Sequence, residues 1–340
     1  MSFTRQVEPG ACHGGCTGER MRIAPMAKFR VLSIDGGGIR GIVPAVILRR
    51  IVETDGFDRF LDSIDFVAGT STGGLIALAL ADSMSAGELV DMYVSMGRKV
   101  FDDTWRDDLL DLGKLFGADY DIGPLRRELR RRFGSKRLGQ LGKYVLVPTF
   151  DLDSGRGRHR TWKPKLFHNF RGAGSDRSAL VAKVGLYACA APTYFPSVDG
   201  YIDGDVYANN PAMCALAQTQ DVRHEPRPPL EAVVLLSLGT GRNLQYLRGK
   251  TLDWGYAQWV RPLINLIFDG TAGIADYQCR QMLGQRYHRF YLSRGRLWRV
   301  LYPEILRHVD INKRRTRNGR IRMPKFTGGG RMTVSFLRET

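Results

Sequence analysis

Residues 66–81 read Phe66-Val67-Ala68-Gly69-Thr70-Ser71-Thr72-Gly73-Gly74-Leu75-Ile76-Ala77-Leu78-Ala79-Leu80-Ala81, and this succession of residue types decides the fold. An apolar, strand-like run enters a Gly-Thr-Ser-Thr-Gly turn and leaves it as an unbroken helix-forming apolar run, the pattern of a nucleophile elbow. Gly69 and Gly73 flank Ser71 at minus two and plus two, where a Cβ would collide as strand and helix cross closely. The turn holds the Ser71 hydroxyl out from the sheet, at a helix N-terminus whose dipole favours a developing anion. The plainer alternative is a small-residue turn that packs a helix on a sheet, and G-x-S-x-G alone does not separate the two.

The same strand–glycine–helix signal occurs just upstream. Lys28 to Ile34 is a β-branched, apolar strand, broken by Asp35-Gly36-Gly37-Gly38-Ile39-Arg40-Gly41, and Ile42 to Val52 has helical spacing. Two successive units of this kind predict an α/β fold of three layers, a mostly parallel central sheet flanked by helices. Downstream, helices are expected over Gly87–Val100, Pro124–Phe133, Ser178–Ala190, Ala212–Thr219 and, in aromatic-rich sequence, 251–284. Strands are expected over Tyr144–Leu152, 161–170 (at a sheet edge), 201–205, Glu231–Leu238 and 287–292. Residues 1–25 are expected to be a disordered extension, 26–295 the folded domain, and 296–340 a basic segment that loses periodicity.

The chain has 340 residues, 43% of them hydrophobic, which suffices for a buried core and argues against wholesale disorder. Its formal net charge of +17 implies anionic surroundings: a nucleic acid, an anionic membrane surface or a negatively charged small ligand. No recognisable nucleic-acid-binding fold accompanies the charge. Five sparse cysteines predict reduced thiols rather than a disulfide framework. Cys12, His13 and Cys16 lack a second ligand cluster, so no metal site is expected. Without an apolar leader or a membrane-span-length run, a cytoplasmic protein is the expectation.

Three constellations carry chemistry. Gly36, Gly38 and Gly41 match the spacing of a dinucleotide-binding loop. Consecutive glycines that expose backbone N–H groups toward one point also make an oxyanion cradle, and the loop alone leaves both open. Ser71 on its elbow tips the balance toward acyl transfer, which needs a nucleophile and a cradle together. A serine nucleophile needs a base. Of the histidines, only His168, His288 and His308 sit where an approach is conceivable, and none carries a motif. Asp203, ahead of Gly204 where a short strand meets a glycine turn, occupies the position at which parallel-sheet enzymes present side chains.

The order Asp-Gly-Gly-Gly-x-Arg-Gly, Gly-Thr-Ser-Thr-Gly, then Asp203-Gly204 followed by Ala208-Asn209-Asn210-Pro211, resembles the patatin-like phospholipase family. The resemblance extends through Leu235 to Gly241 and Asp276-Tyr277-Gln278, covering roughly residues 28–292. It implies a Ser–Asp dyad without histidine or cofactor, with Ser71 as nucleophile and Asp203 as base. Amides of Gly37 and Gly38, with Gly36, would form the oxyanion hole, and Arg40 would lie beside it. The implied substrate is a phospholipid or other acyl lipid, reached by peripheral contact with an anionic membrane. Some bacterial members are activated by cyclic nucleotides, which the basic surface would suit.

Asp205 departs from the pattern, standing where the family usually has Gly or Ala. A second carboxylate there would raise the pKa of Asp203 by repulsion, but the expectation is that it points into solvent and changes little. Arg126–Arg132 and Arg137 are candidates for docking on anionic lipid or for a solvated helix face. Trp254, Tyr256, Trp259, Leu263, Ile264, Leu266, Ile267 and Phe268 are expected to pack in the core, the alternative being an interfacial face or lid.

Overall fold

The computed structural model describes residues 27–99, 121–155, 160–192, 194–241, 246–247, 249 and 251–290. The expected N-terminal extension, the basic segment 296–340, and His13, His159 and His308 lie outside these residues.

Strand β1 (Phe29–Ile34) is central because its residues alternate between two apolar faces. Leu32 and Ile34 join one buried cluster and Val31 joins the other. The neighbours repeat this division. Val67 of β2 (Phe66–Gly69) faces one side while Phe66 and Ala68 face the other; Val145 and Val147 of β3 (Tyr144–Asp151) oppose Leu146. Period-two alternation with apolar residues on both faces is what a sheet covered on both sides requires.

The sheet order is β4-β3-β2-β1-β8-β9, where β4 is Lys163–His168, β8 Val233–Leu238 and β9 Tyr287–Phe290. Strands β3, β2, β1, β8 and β9 run parallel. Strands β4 and β6 (Tyr201–Asp203) both pair antiparallel with β3. A separate ribbon joins β5 (Arg171–Gly172) to β7 (His224–Glu225).

Helices α1 (Ile42–Val52), α2 (Thr72–Ala81), α3 (Ala86–Lys99), α4 (Gly123–Phe133) and α5 (Val181–Ala188) supply the cluster on one face. Every residue of α2 is buried, as expected of a helix apolar all round. On the other face lie α7 (Ala212–Thr219) and the end of α8 (Tyr256–Leu283), through Ala212, Ala215, Leu216, Cys279 and Leu283. The three layers match the expected class. Between β6 and α7 runs α6 (Asp205–Ala208).

The expected core packing of residues 254–268 is overturned for the exposed part of that stretch. Tyr256, Leu263, Leu266 and Ile267 are exposed, whereas the first buried residue among the described side chains of α8 is Ala275. The reason lies in the partners: Cys279 and Leu283 meet α7 in the second buried cluster, while Asn209 and Asn210 reach the carbonyls of Phe268 and Ala272 by hydrogen bonds.

After β1 the chain winds outward through β2 and β3, then returns to place β8 on the other side of β1. That reversal is a topological switch point, where the carboxyl ends of strands open a crevice. The glycine loop after β1 leaves the sheet there, and the Ser71 turn leaves the same carboxyl edge one strand away, at the end of β2.

Candidate active site

The elbow follows from two backbone crossings. A Cβ on Gly69 would fall on the carbonyl of Gly73, and one on Gly73 would strike the carbonyl of Ile34 and lie 2.7 Å from that of Asp35. Only glycine lets the end of β2, the start of α2 and the end of β1 come this close. Between them Ser71 has φ 53° and ψ −125°, a conformation that costs a non-glycine residue about 1–3 kcal/mol. The Ser71 carbonyl accepts the Gly74 amide at 2.9 Å, and the side chain stands at the head of α2.

Asp203 ends β6, and its position depends on Gly204. A Cβ there would lie 2.5 Å from the Pro148 carbonyl, so glycine lets β6 turn away tightly against β3. The Asp203 carboxyl is wholly buried, and Oδ1 accepts the Asp205 amide at 3.0 Å. Oδ2 is buried without a full hydrogen bond. Burial pushes the pKa of Asp203 up to about 7, against the opposing influence of the nearby Ser71 hydroxyl and then the amides of Asp205 and Gly204. Elbow and aspartate segment are also joined directly, since the Thr70 hydroxyl donates to the Ala208 carbonyl at 2.6 Å.

The glycine loop continues β1. The Gly36 amide donates to the Asn209 carbonyl at 3.0 Å, so that N–H is committed and Gly36 is removed from the expected oxyanion donors. Among the described residues, no acceptor takes the amide of Gly37 or Gly38. These two have φ of 156° and 57°, and the space around Gly38 is open to 4 Å. Gly41 closes the loop where a Cβ would meet the Thr72 and Tyr93 hydroxyls. Arg40 lies over the loop, its Nε donating to the Gly37 carbonyl at 3.3 Å.

The anchor of this loop has no motif. Arg289 of β9 makes a two-pronged ion pair with Asp35, Nη1 to Oδ1 at 2.7 Å and Nη2 to Oδ2, and both side chains are buried. Nη1 also donates to the Ser237 hydroxyl at 2.6 Å. Asp35 further donates its amide to Leu238 at 3.0 Å, and Thr240 donates its hydroxyl to the Gly36 carbonyl at 2.6 Å. The loop is thus hung from β8 and β9. Periodicity placed β8 and β9 but gave no sign that an arginine on the edge strand would reach under the first loop.

Asp205 does not point into solvent. It is 9% exposed, and its Oδ1 occupies the space a Cβ on Gly36 would need. The tight passage of the chain from Asp203 through Gly204 turns this carboxyl inward, under the glycine loop. Asp35, Asp203 and Asp205 therefore gather behind the loop.

The described histidines lie elsewhere. His168 stacks edge-on with His224 at 4.5 Å, and burial lowers its pKa to about 4. His288 is paired opposite Leu236 on β9. The groups acting on the Asp203 carboxyl are Ser71, Asp205 and Gly204. The described residues contain no cluster of His, Cys, Asp and Glu suited to a metal ion.

Known proteins are similar to this chain over most of its described length. A family model described as patatin-like phospholipase matches residues 32–216. Patatin-like protein 2 of Oryza sativa subsp. indica is 30% identical over 72% of this chain and 71% of its own length. A cGAMP-activated phospholipase of Pseudomonas aeruginosa is 31% identical over 76% of this chain and 77% of its own. Among solved structures, VipD from Legionella pneumophila aligns with 65% of this chain and 51% of that one, at 14% identity and a TM-score of 0.35.

Proposed function

The chain belongs to the patatin-like phospholipase family, and on that premise we propose that it hydrolyses acyl esters of lipids through a Ser71–Asp203 dyad. One geometric observation carries the reading: a strained, buried serine stands beside a wholly buried carboxyl, whose pKa burial raises to about 7. That value suits a general base, which works best when its pKa lies close to the operating pH.

In the proposed reaction Asp203 takes the Ser71 proton as Oγ attacks the ester carbonyl. The unclaimed amides of Gly37 and Gly38 receive the developing oxyanion, each donor being worth about 3 kcal/mol of barrier. The acyl group stays on Ser71 while the alcohol leaves with the proton from Asp203. Water, deprotonated by the same carboxylate, then attacks the acyl carbonyl, and Asp203 passes that proton to Ser71 Oγ as the bond to the acyl group breaks and the fatty acid leaves. No step calls for a histidine or a metal.

The lipid is proposed to be met at an anionic surface, with the protein peripheral to it. Arg127, Arg130, Arg131 and Arg132 are exposed on α4 opposite buried Leu125, Leu129 and Phe133, and α8 exposes Tyr256, Leu263, Leu266 and Ile267. No helix among the described residues is long and apolar enough to cross a membrane. A second reading, suggested by the name of the Pseudomonas relative, makes hydrolysis depend on a cyclic-nucleotide activator. Turnover that appears only on adding the nucleotide selects that reading.

The test is fatty-acid release from anionic phospholipid vesicles by the full chain, by Ser71→Ala and by Asp203→Asn, with and without cyclic nucleotide. Loss of about a thousandfold or more in both variants is expected. Hydrolysis by Ser71→Ala at the wild-type rate refutes the dyad.

A further inference from the structure

Two carboxyls, Asp203 and Asp205, are separated by a single glycine, both are buried, and the backbone of one is hydrogen-bonded to the side chain of the other. Asp205 Oδ1 is buried without a hydrogen-bond partner, and Asp203 Oδ2 is buried beside Ser71 without a full one. Two like charges so placed cannot both be ionised at modest cost, so the pair gives up its protons in two separated steps.

The surroundings decide which carboxyl ionises first. Asp203 Oδ1 accepts the Asp205 amide, and the Gly204 amide and Ser71 hydroxyl also favour its charged form. Asp205 Oδ1 has no such donor and lies against Gly36. The charged and titratable groups facing Asp205 come from several elements. Asp203 opposes its ionisation from β6, and Asp35 does so from the end of β1, although Asp35 is itself matched by Arg289 of β9. Arg40 favours it, but is half-buried and directed at the Gly37 carbonyl. Cys189, after α5, is half-buried with its thiol pKa pushed well up by desolvation and by Asp203 and Asp205, so it stays neutral. Burial and Asp203 together hold the Asp205 pKa well above the carboxylate range.

We propose that Asp205 is a positioning residue that remains a neutral, proton-bearing acid while Asp203 is ionised, and that its later ionisation shuts hydrolysis down on the alkaline side. The inference rests on the Ser71–Asp203 reading for its effect on turnover. A neutral Asp205 lets the site carry one negative charge, on the base. An anionic Asp205 would stand against Gly36, behind the Gly37 and Gly38 amides, and repel the oxyanion they are to receive. Activity therefore rises as Asp203 ionises and falls as Asp205 does, giving a bell.

The experiment joins infrared spectroscopy of the carboxyl C=O stretch with pH profiles of kcat/KM, for the full chain, Asp205→Asn and Asp205→Gly. At about pH 8, above the Asp203 ionisation, a protonated-carboxyl band is expected in the wild-type protein and is expected to vanish in both variants. This arm needs no turnover, so it stands even if the dyad reading fails. In the pH profiles, Asp205→Asn is expected to keep the acid limb in place and lose the alkaline limb, an outcome a purely structural role would not produce. Asp205→Gly repeats the measurement should the amide disturb folding. Absence of the band in wild type overturns the proposal. So does an acid limb that drops by about one pH unit or more in Asp205→Asn, because Asp205 would then already be charged and acting on Asp203.

Discussion

The two glycine turns at the carboxyl ends of β1 and β2 look alike in sequence and are held by different means. At Gly69–Gly73 two backbone crossings hold the chain: Gly69 lies against Gly73, Gly73 lies against the end of β1, and every residue from Phe66 to Ala81 is buried. At Gly36–Gly41 the tip is open, with Gly38 exposed, and the loop is tethered by Arg289, Ser237, Thr240 and Asn209 from distant parts of the chain. The turn that carries Ser71 is thus held by close backbone crossings within a buried segment, whereas the turn that carries Gly37 and Gly38 hangs from side-chain contacts and has an open tip. Substitutions in the first should act on folding, and those in the second on the placement of two N–H groups.

The sharpest way to break this contrast is Gly69→Ala. Its methyl would fall on the Gly73 backbone, which has no flexible side chain to yield, and a loss of about 4 kcal/mol or more is expected in denaturant unfolding. A variant as stable as wild type would mean the crossing is looser than described. Next comes Arg289→Met, which leaves Asp35 as an uncompensated buried charge and should cost about 3–5 kcal/mol. Adding Asp35→Asn should recover part of that stability without recovering kcat, because the anchor of the loop is still missing. Full recovery of kcat in the double variant would show that the ion pair does not position the loop. The smallest effect on stability is expected for Gly38→Ala. A methyl there meets nothing within 4 Å, and the cost of φ 57° is about 1–2 kcal/mol. Hydrolysis should nevertheless fall by about a hundredfold, as for the loss of one oxyanion donor. Unfolding and turnover that change in proportion would erase the distinction between the two turns.

The contrast also explains what could be read from the chain. The elbow was legible because its cause is local: a glycine on each side of Ser71 and an apolar run long enough to bury a whole helix. The parallel sheet and the position of Asp203 at the end of a strand followed from the same period-two and glycine signals. Arg289 was not legible, since one arginine in a short edge strand carries no pattern and its partner lies at the opposite end of the domain. The Gly36 amide is taken by a carbonyl that only the fold brings near. Asp205 was expected in solvent because an acidic residue after a glycine turn normally is; burial came from the loop of β1 closing over it. The exposed apolar residues of α8 depart from the core packing expected of them because a hydrophobic stretch does not say which of its halves finds a partner.

The most direct test of the central claim is reaction of the full chain with a fluorophosphonate probe, followed by mass spectrometry of the modified peptide. The account predicts one adduct on Ser71, absent from Ser71→Ala and formed much more slowly in Asp203→Asn. An adduct on another residue, or one that survives Ser71→Ala, would contradict it.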